Sequence, residues 1–292
     1  MEFRVLKYFL AVAREGSITA AANTLHVTQP TLSRQLKDLE EELGKKLFIR
    51  SNYSVKLTDE GLVLKKRAED IIDMVDKTDA EFKAMNEIIG GDIYIGAGQS
   101  DGLRFFAQIA KKIQQNYPLI RYHLYSGNSE PIKERLDKGL IDFGVFMETV
   151  DAAKYNYITL PSSDIWGVIM RKDHPLATKK FIKPEDLLDI PVICSRQAIA
   201  TKLTAWFGAT FEKINILATY DLLYNASVMV KEGMGCAIGF DKIVETGSDS
   251  ELCFRQLSPH LKSNMYIAWK KHQVFSGASE VFLKQLRAEF GE

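Results

Sequence analysis

The stretch that decides the fold is residues 17–50, SITAAANTLHVTQPTLSRQLKDLEEELGKKLFIR. Two helical patterns lie within it. Ile18, Ala21, Ala22 and Leu25 share one face, and Leu32, Leu36, Leu39 and Leu43 share another. Ser17 and Thr28 precede them as N-caps, Pro30 suits a first turn, and Gly44 suits a C-terminal cap. Two short helices joined by a tight turn at His26-Val27 form a helix-turn-helix, whose second helix can enter a major groove.

With the leucine stripe inward, the second helix points Pro30, Arg34, Lys37, Asp38 and Glu41 outward, with Ser33 at the flank. Its first half carries Gln29, Ser33, Arg34 and Lys37, side chains suited to base edges and phosphates. Its second half carries Asp38, Glu40, Glu41 and Glu42, which a phosphate backbone repels, so only the first two turns fit a groove. Periodicity alone leaves one alternative open, a helical hairpin with a solvated charged face.

The set Phe9, Gly16-Ser17, Ala20-Ala21-Ala22, Leu25, Thr28-Gln29-Pro30, Ser33, Leu39-Glu40, Leu43-Gly44, Leu47-Phe48, Arg50, Leu57-Thr58 and Gly61 resembles the signature of the LysR-type transcriptional regulators. The resemblance is dense over about the first 65 residues and weaker beyond them. It implies a regulator that binds promoter inverted repeats in double-stranded DNA and responds to a small-molecule effector. The implied DNA contacts are Thr28, Gln29, Pro30, Thr31, Ser33, Arg34 and Lys37, with Arg50 and Asn52 in a wing. An alternative class stays open: a solute-binding or transport-linked protein with an accessory helical domain, which would have no use for residues 17–50.

Formal net charge is zero, unpromising for a DNA binder, but the charge is unevenly spread. Residues 1–67 hold twelve basic and eight acidic side chains, a net of plus four. Residues 68–91 hold two basic against seven acidic, a net of minus five. Attraction to phosphate is therefore local to the N-terminal end.

Residues 3–14 read as a helix backing the helix-turn-helix, and 46–50 with 55–57 as two short strands of a wing. From Thr58 one long helix is expected, with Leu64, Ala68, Ile71, Val75, Thr78, Phe82, Met85 and Ile89 at alternating spacings of four and three. Neither Gly nor Pro interrupts it until Gly90-Gly91. So long a stripe favours pairing with a second copy, with Leu64, Ala68, Ile71, Val75, Phe82, Met85 and Ile89 as the dimerisation residues. Packing on its own domain is the other outcome.

Beyond Gly91 strands and helices alternate: strands near 92–97, 120–125 and 140–147, and helices near 103–115 and 131–138. A second run has strands near 165–171, 191–195 and 214–218, then a helix near 222–232. The chain returns near 264–269 and ends in a helix over 278–290. This is βαβ grammar and implies mainly parallel sheets. The fold class is thus α+β multidomain: a winged helix-turn-helix (1–58), a linker and dimerisation helix (59–90), and an effector domain (91–292). The last comprises lobe I (91–160 and 266–292) and lobe II (161–265), resembling the LysR regulatory domain and periplasmic solute-binding proteins.

Ligands in such sheets sit beyond the carboxyl ends of the strands. Those ends are Gly98-Gln99-Ser100, Gly127-Asn128-Ser129, Phe146-Met147 and Ser195-Arg196-Gln197. Gln99, Ser100, Asn128, Ser129, Ser195, Arg196 and Thr219 are the candidate effector residues, with Arg196 suited to a carboxylate metabolite. Ser100, Asn128 and Ser129 read equally as helix caps.

Enzymatic motifs are missing. Gly96, Gly98 and Gly102 have the wrong spacing for a dinucleotide fingerprint, and there is no P-loop or nucleophile elbow. The five histidines are isolated and no metal or other cofactor is expected. The cysteines Cys194, Cys236 and Cys253 suit a reducing compartment and structural thiols rather than a redox sensor. No run approaches the roughly 18 apolar residues of a membrane helix, and the N-terminus lacks a signal-peptide pattern. A bacterial cytoplasmic protein associated with the nucleoid is expected, a dimer of dimers that also meets RNA polymerase.

Overall fold

The computed structural model describes residues 1–50, 54–84 and 90–291, and only the backbone at 50, 81, 83 and 84. The chain forms two compact units, residues 1–83 and 84–292. Asn52, Met85 and Ile89 lie outside the described residues.

The first unit begins with α1 (Phe3–Glu15), α2 (Ile18–Thr24) and α3 (Gln29–Leu43). Each boundary has a local cause. Ser17 Oγ accepts the Ala20 N–H, Thr28 Oγ1 accepts the Thr31 N–H, and Gly16 and Gly44 close α1 and α3 in the left-handed region. Phe9, Val12, Ala21, Leu32 and Leu36 meet in a core with no solvent exposure. Next come β1 (Phe48–Arg50) and β2 (Val55–Leu57), antiparallel, forming the wing. The Val55 N–H donates to Gly16 O (2.9 Å) and ties that wing to α1.

The inward stripe of α3 differs from its sequence reading at two places. Leu43 is 40 % exposed, whereas Glu40 is only 4 % exposed. The Glu40 carboxylate accepts the N–H groups of Leu47 (2.8 Å) and Phe48 (3.3 Å) and pairs with Lys46 (3.3 Å). Glu40 is therefore a structural anchor for the entry to β1, not part of the acidic solvent face.

Helix α4 (Asp59–Ala84) starts on Thr58, whose hydroxyl accepts the Gly61 N–H (3.0 Å) and donates to Lys46 O (2.7 Å). A Cβ at Gly61 would lie 2.2 Å from Leu47 O, so only glycine allows this approach. The expected apolar seam divides. Ala68 is fully buried and Leu64 packs on the same core of the first unit. Farther along, Ile71 (38 %) and Phe82 (65 %) are exposed and Val75 is half-buried.

In the second unit, β3 (Gly90–Ala97), α5 (Leu103–Asn116), β4 (Leu119–Ser126), α6 (Ser129–Asp137) and β5 (Phe143–Phe146) build lobe I. β3 runs parallel to both β4 and β5. β6 (Tyr155–Arg171) then crosses to lobe II as one 17-residue strand. Lobe II adds β7 (Phe181–Ile182), β8 (Val192–Ser195), α7 (Arg196–Ala198), α8 (Thr204–Phe207), β9 (Ile216–Tyr220), α9 (Leu223–Lys231), β10 (Cys236–Phe240) and β11 (Leu252–Leu257). β12 (Lys262–Lys270) crosses back and α10 (Gly277–Phe290) completes lobe I. The strand order is β4-β3-β5-β12-β6-β10-β8-β9. Each lobe keeps three parallel neighbours, while the crossing strands β6 and β12 are antiparallel.

The sequence pattern predicts this crossing strand only from about 165 and gives no sign of β11, whereas β6 starts at Tyr155. Pro161 hides its first half, since it cannot donate to a ladder. It is accommodated because the β6–β12 register slips between Asn264 and Tyr266, where the ladder is interrupted.

The Glu40 anchor yields a test. Burial by itself would raise its carboxyl, but the Leu47 and Phe48 amides and Lys46 hold it below the ordinary carboxylate range. Its contribution to stability is present above the unfolded value and lost as pH falls through the depressed folded value. Glu40→Ala should remove about 1–3 kcal/mol by orphaning two amides. Urea titrations should show that deficit near neutral pH and a smaller one in acid.

Candidate functional site

On the first unit, Thr28, Gln29, Pro30, Thr31, Arg34 and Lys37 are exposed and Ser33 is half-buried. The Thr28 and Thr31 hydroxyls lie 2.8 Å apart, so this pair is shared between capping and any outside contact. Lys37 pairs with Glu41 one turn on (3.2 Å), both well exposed. Such a pair is worth about 0–1 kcal/mol and yields readily to a phosphate. The face offers an amide, hydroxyls and two cations over two turns, the inventory needed for base edges and backbone. Arg50 is described in backbone only, at the end of β1.

In the second unit a cavity opens between the lobes, with about 720 Å³ of empty space including its mouth. Three polar contacts close it across the lobes. Gln197 Nε2 donates to Ser129 Oγ (2.7 Å), and Gln197 Oε1 accepts the Ser129 N–H (3.3 Å). Asn128 Nδ2 donates to Asp221 Oδ1 (2.8 Å). Gln99 Oε1 accepts the Leu223 N–H (2.6 Å), so a side chain of lobe I caps the first turn of α9 in lobe II. The floor is polar on one side: Ser263 Oγ accepts both Trp166 Nε1 (3.0 Å) and Lys202 Nζ (2.7 Å). Trp166 packs on Phe240 with ring centroids 4.4 Å apart.

Of the candidate effector residues, Gln99, Asn128, Ser129 and Ser195 line this cavity; Ser100, Arg196 and Thr219 do not. Ser100 turns inward: its hydroxyl accepts the Gly102 N–H (3.0 Å) and donates towards Met265 Sδ (2.9 Å). Burial pushes the Asp164 carboxyl up to about 6, with the Ser100 hydroxyl opposing that shift. Arg196 is exposed and reaches Thr219 Oγ1 at 3.5 Å, so the pair engages itself outside the cavity wall. The first amide of α6 is also taken, because the Ser129 N–H donates to Gln197 Oε1. Sequence reasoning missed Lys202, Trp166, Gln197 and Asp221, which lie on the cavity wall. Gln197 belongs to the strand end Ser195-Arg196-Gln197 read from the sequence, but is not among the candidate effector residues drawn from it.

The three cysteines are buried, and burial pushes Cys194 and Cys236 up to about 12. Neither is a thiolate near neutral pH, as redox sensing by nucleophilic attack would require. Among the described residues no group of three or more His, Cys, Asp or Glu side chains is placed to hold a metal. No described helix is long and apolar enough to cross a membrane.

A winged helix-turn-helix with an exposed polar recognition face, carried with a two-lobed cleft domain, defines a ligand-responsive DNA-binding regulator. The family model for bacterial regulatory helix-turn-helix proteins of the lysR family matches residues 3–62, and that for the LysR substrate binding domain matches residues 88–291. The chain belongs to the LysR family and is a DNA-binding transcriptional regulator with a substrate-binding domain.

It is 27 % identical over all of its length to YvbU, an uncharacterized HTH-type transcriptional regulator of Bacillus subtilis strain 168, covering 99 % of that protein. It is 28 % identical to a probable RuBisCO transcriptional regulator of Emiliania huxleyi, over 80 % of this chain and 76 % of the relative. The solved structure of CbnR, a LysR family transcriptional regulator, matches with a TM-score of 0.79 at 20 % identity over 100 % of both chains. CbnR complexed with its target DNA matches with a TM-score of 0.77 at 20 % identity over 99 % of both. These two likenesses establish the fold.

Gln197→Ala removes both bonds to Ser129. Hydrogen exchange at the Ser129 amide should speed by about tenfold, the worth of roughly one net hydrogen bond. The Ile109 amide in the lobe I core serves as the unchanged reference. Equal protection of Ser129 in both proteins would show that this bridge is not formed in solution.

Proposed function

We propose that this regulator binds an interrupted inverted repeat in a bacterial promoter as a dimer of dimers, and that a small molecule between the lobes alters that binding. The carrying observation is the exposed first half of α3, where Gln29, Arg34 and Lys37 face solvent, Lys37 held only by an exposed pair with Glu41. Two such helices, held by paired α4 helices, would meet half-sites about one helical turn or a multiple apart. The exposed Ile71 and Phe82 supply the apolar surface for that pairing beyond the part of α4 that packs on its own unit. By sequence, Arg50 and Asn52 are assigned to backbone or minor-groove contact, and Met85 and Ile89 to dimerisation.

The effector site is the inter-lobe cavity. A ligand there competes with, or adds to, the Gln197–Ser129, Asn128–Asp221 and Gln99–Leu223 contacts, and so shifts the balance between lobe angles. Effector and promoter must change each other's affinity by the same factor. The setting is the bacterial cytoplasm at the nucleoid, with RNA polymerase as a further partner.

Arg34→Ala should cost about 1–3 kcal/mol and relax specificity at one position of the site if Arg34 reads a base. Mobility shifts over a salt titration measure this; uniform weakening on all sequences would reassign Arg34 to a phosphate. Phe82→Glu should convert dimers to monomers in light scattering and weaken promoter binding by on the order of 100-fold, since two linked heads lose their avidity. A dimer that survives the substitution would remove Phe82 from the interface.

A further inference from the structure

We infer that the effector is a small monocarboxylate with an apolar body, and that Lys202 receives its carboxylate. This rests on the inter-lobe cavity being the effector site. Lys202 lies in a π-helical stretch (Ile199–Leu203) between α7 and α8, a rare geometry that recurs at functional sites. That turn aims its ammonium at the cavity floor, where it donates to Ser263 Oγ (2.7 Å) and Lys262 O (3.3 Å).

Both partners are neutral, and the acid whose charge acts on Lys202 is Glu148, itself held by Lys133 at 3.0 Å. An ammonium has three donors, so one is left for a ligand. Ser263 Oγ already accepts from Lys202 and Trp166, which leaves its own proton to donate. A carboxylate seated there would receive an N–H and an O–H. Burial lowers the Lys202 pKa, opposed by the charge of Glu148, so an anion arriving at this point restores what desolvation removes.

The rest of the wall sets the charge and the body. Among the described residues, Lys202 is the one cation on the wall; of the two acids there, Glu148 is matched by Lys133 at 3.0 Å and Asp221 accepts the Asn128 amide at 2.8 Å, so both oppose any further negative charge on a ligand. A second carboxylate on the ligand would face Glu148, which disfavours dianions. Ile132, Val145, Met147, Trp166, Leu223 and Phe240 supply the apolar part of the wall, suited to a hydrocarbon or aromatic body.

The test uses the full-length chain and matched probes that differ only in the head group: phenylacetate, phenylacetamide and phenethylamine. Calorimetry should give phenylacetate an affinity at least about tenfold above the amide and the amine, the scale of one charge-assisted contact. Lys202→Met should reduce the carboxylate-to-amide ratio to near one, and Lys202→Arg should keep most of it, which separates loss of charge from loss of fold. An amide that binds as well as the acid, or a wild-type chain that binds neither, overturns the assignment. Trp166 reports location: with Trp206→Phe and Trp269→Phe in place, it is the remaining tryptophan of the three. Phenylacetate binding that leaves its fluorescence unchanged would instead overturn the cavity as the effector site. Promoter binding in a mobility shift is a separate readout, which neither result touches.

Discussion

The effector domain depends on two antiparallel strands that pass together from one lobe to the other. β6 and β12 pair from Tyr155–Lys270 at one end to Ile165–Lys262 at the other, and every ligand-facing element hangs from this ladder. The inner parallel strands on either side, β5, β8 and β10, are buried on both faces. The ladder itself is interrupted beside Met265, opposite Pro161 and its neighbours, so regular hydrogen bonding lapses between the lobes rather than inside either of them. Ser263 and Lys262, which hold the Lys202 ammonium, are on the same strand. Cavity chemistry and crossing geometry are thus written in one segment.

The same economy appears in the N-terminal unit. A domain of this size has a small core, and three helices with a two-stranded wing bury little more than Phe9, Leu32, Leu36 and their neighbours. Glu40 supplements that core by satisfying two amides where α3 hands over to β1. A charged side chain placed there stabilises only because it is fully partnered; the acids one and two positions on remain in solvent.

How much of this was legible depends on whether the cause is local. Ser17, Thr28 and Gly44 act within one turn, and the helix-turn-helix they bound is readable from the chain. Strand ends at Gln99 and Asn128-Ser129 could be placed because βαβ order puts them beside one another. Lys202 could not, since its role depends on a π turn and on a serine 61 residues away. Arg196, nearer a strand end, looked the better cation, yet its side chain lies along the surface. Glu40 was unreadable for a similar reason: its partners are the backbone amides of a later segment. The long seam of α4 had the right period, but period does not say which neighbour covers it. Leu64 and Ala68 are claimed by the helix's own unit, whereas Ile71 and Phe82 are not.

The order in which the lobes are strung has a consequence for synthesis. Lobe II lies wholly between the two crossings, whereas the core of lobe I includes Phe282 and Leu286 of α10, both without solvent exposure. As the polypeptide emerges from the ribosome, β3, β4 and β5 wait with an uncovered face until the last helix arrives. Lobe II has all its parts earlier. The half of the domain made first is therefore the half finished last, and truncation of the final helix would leave nascent apolar surface for chaperones to shield.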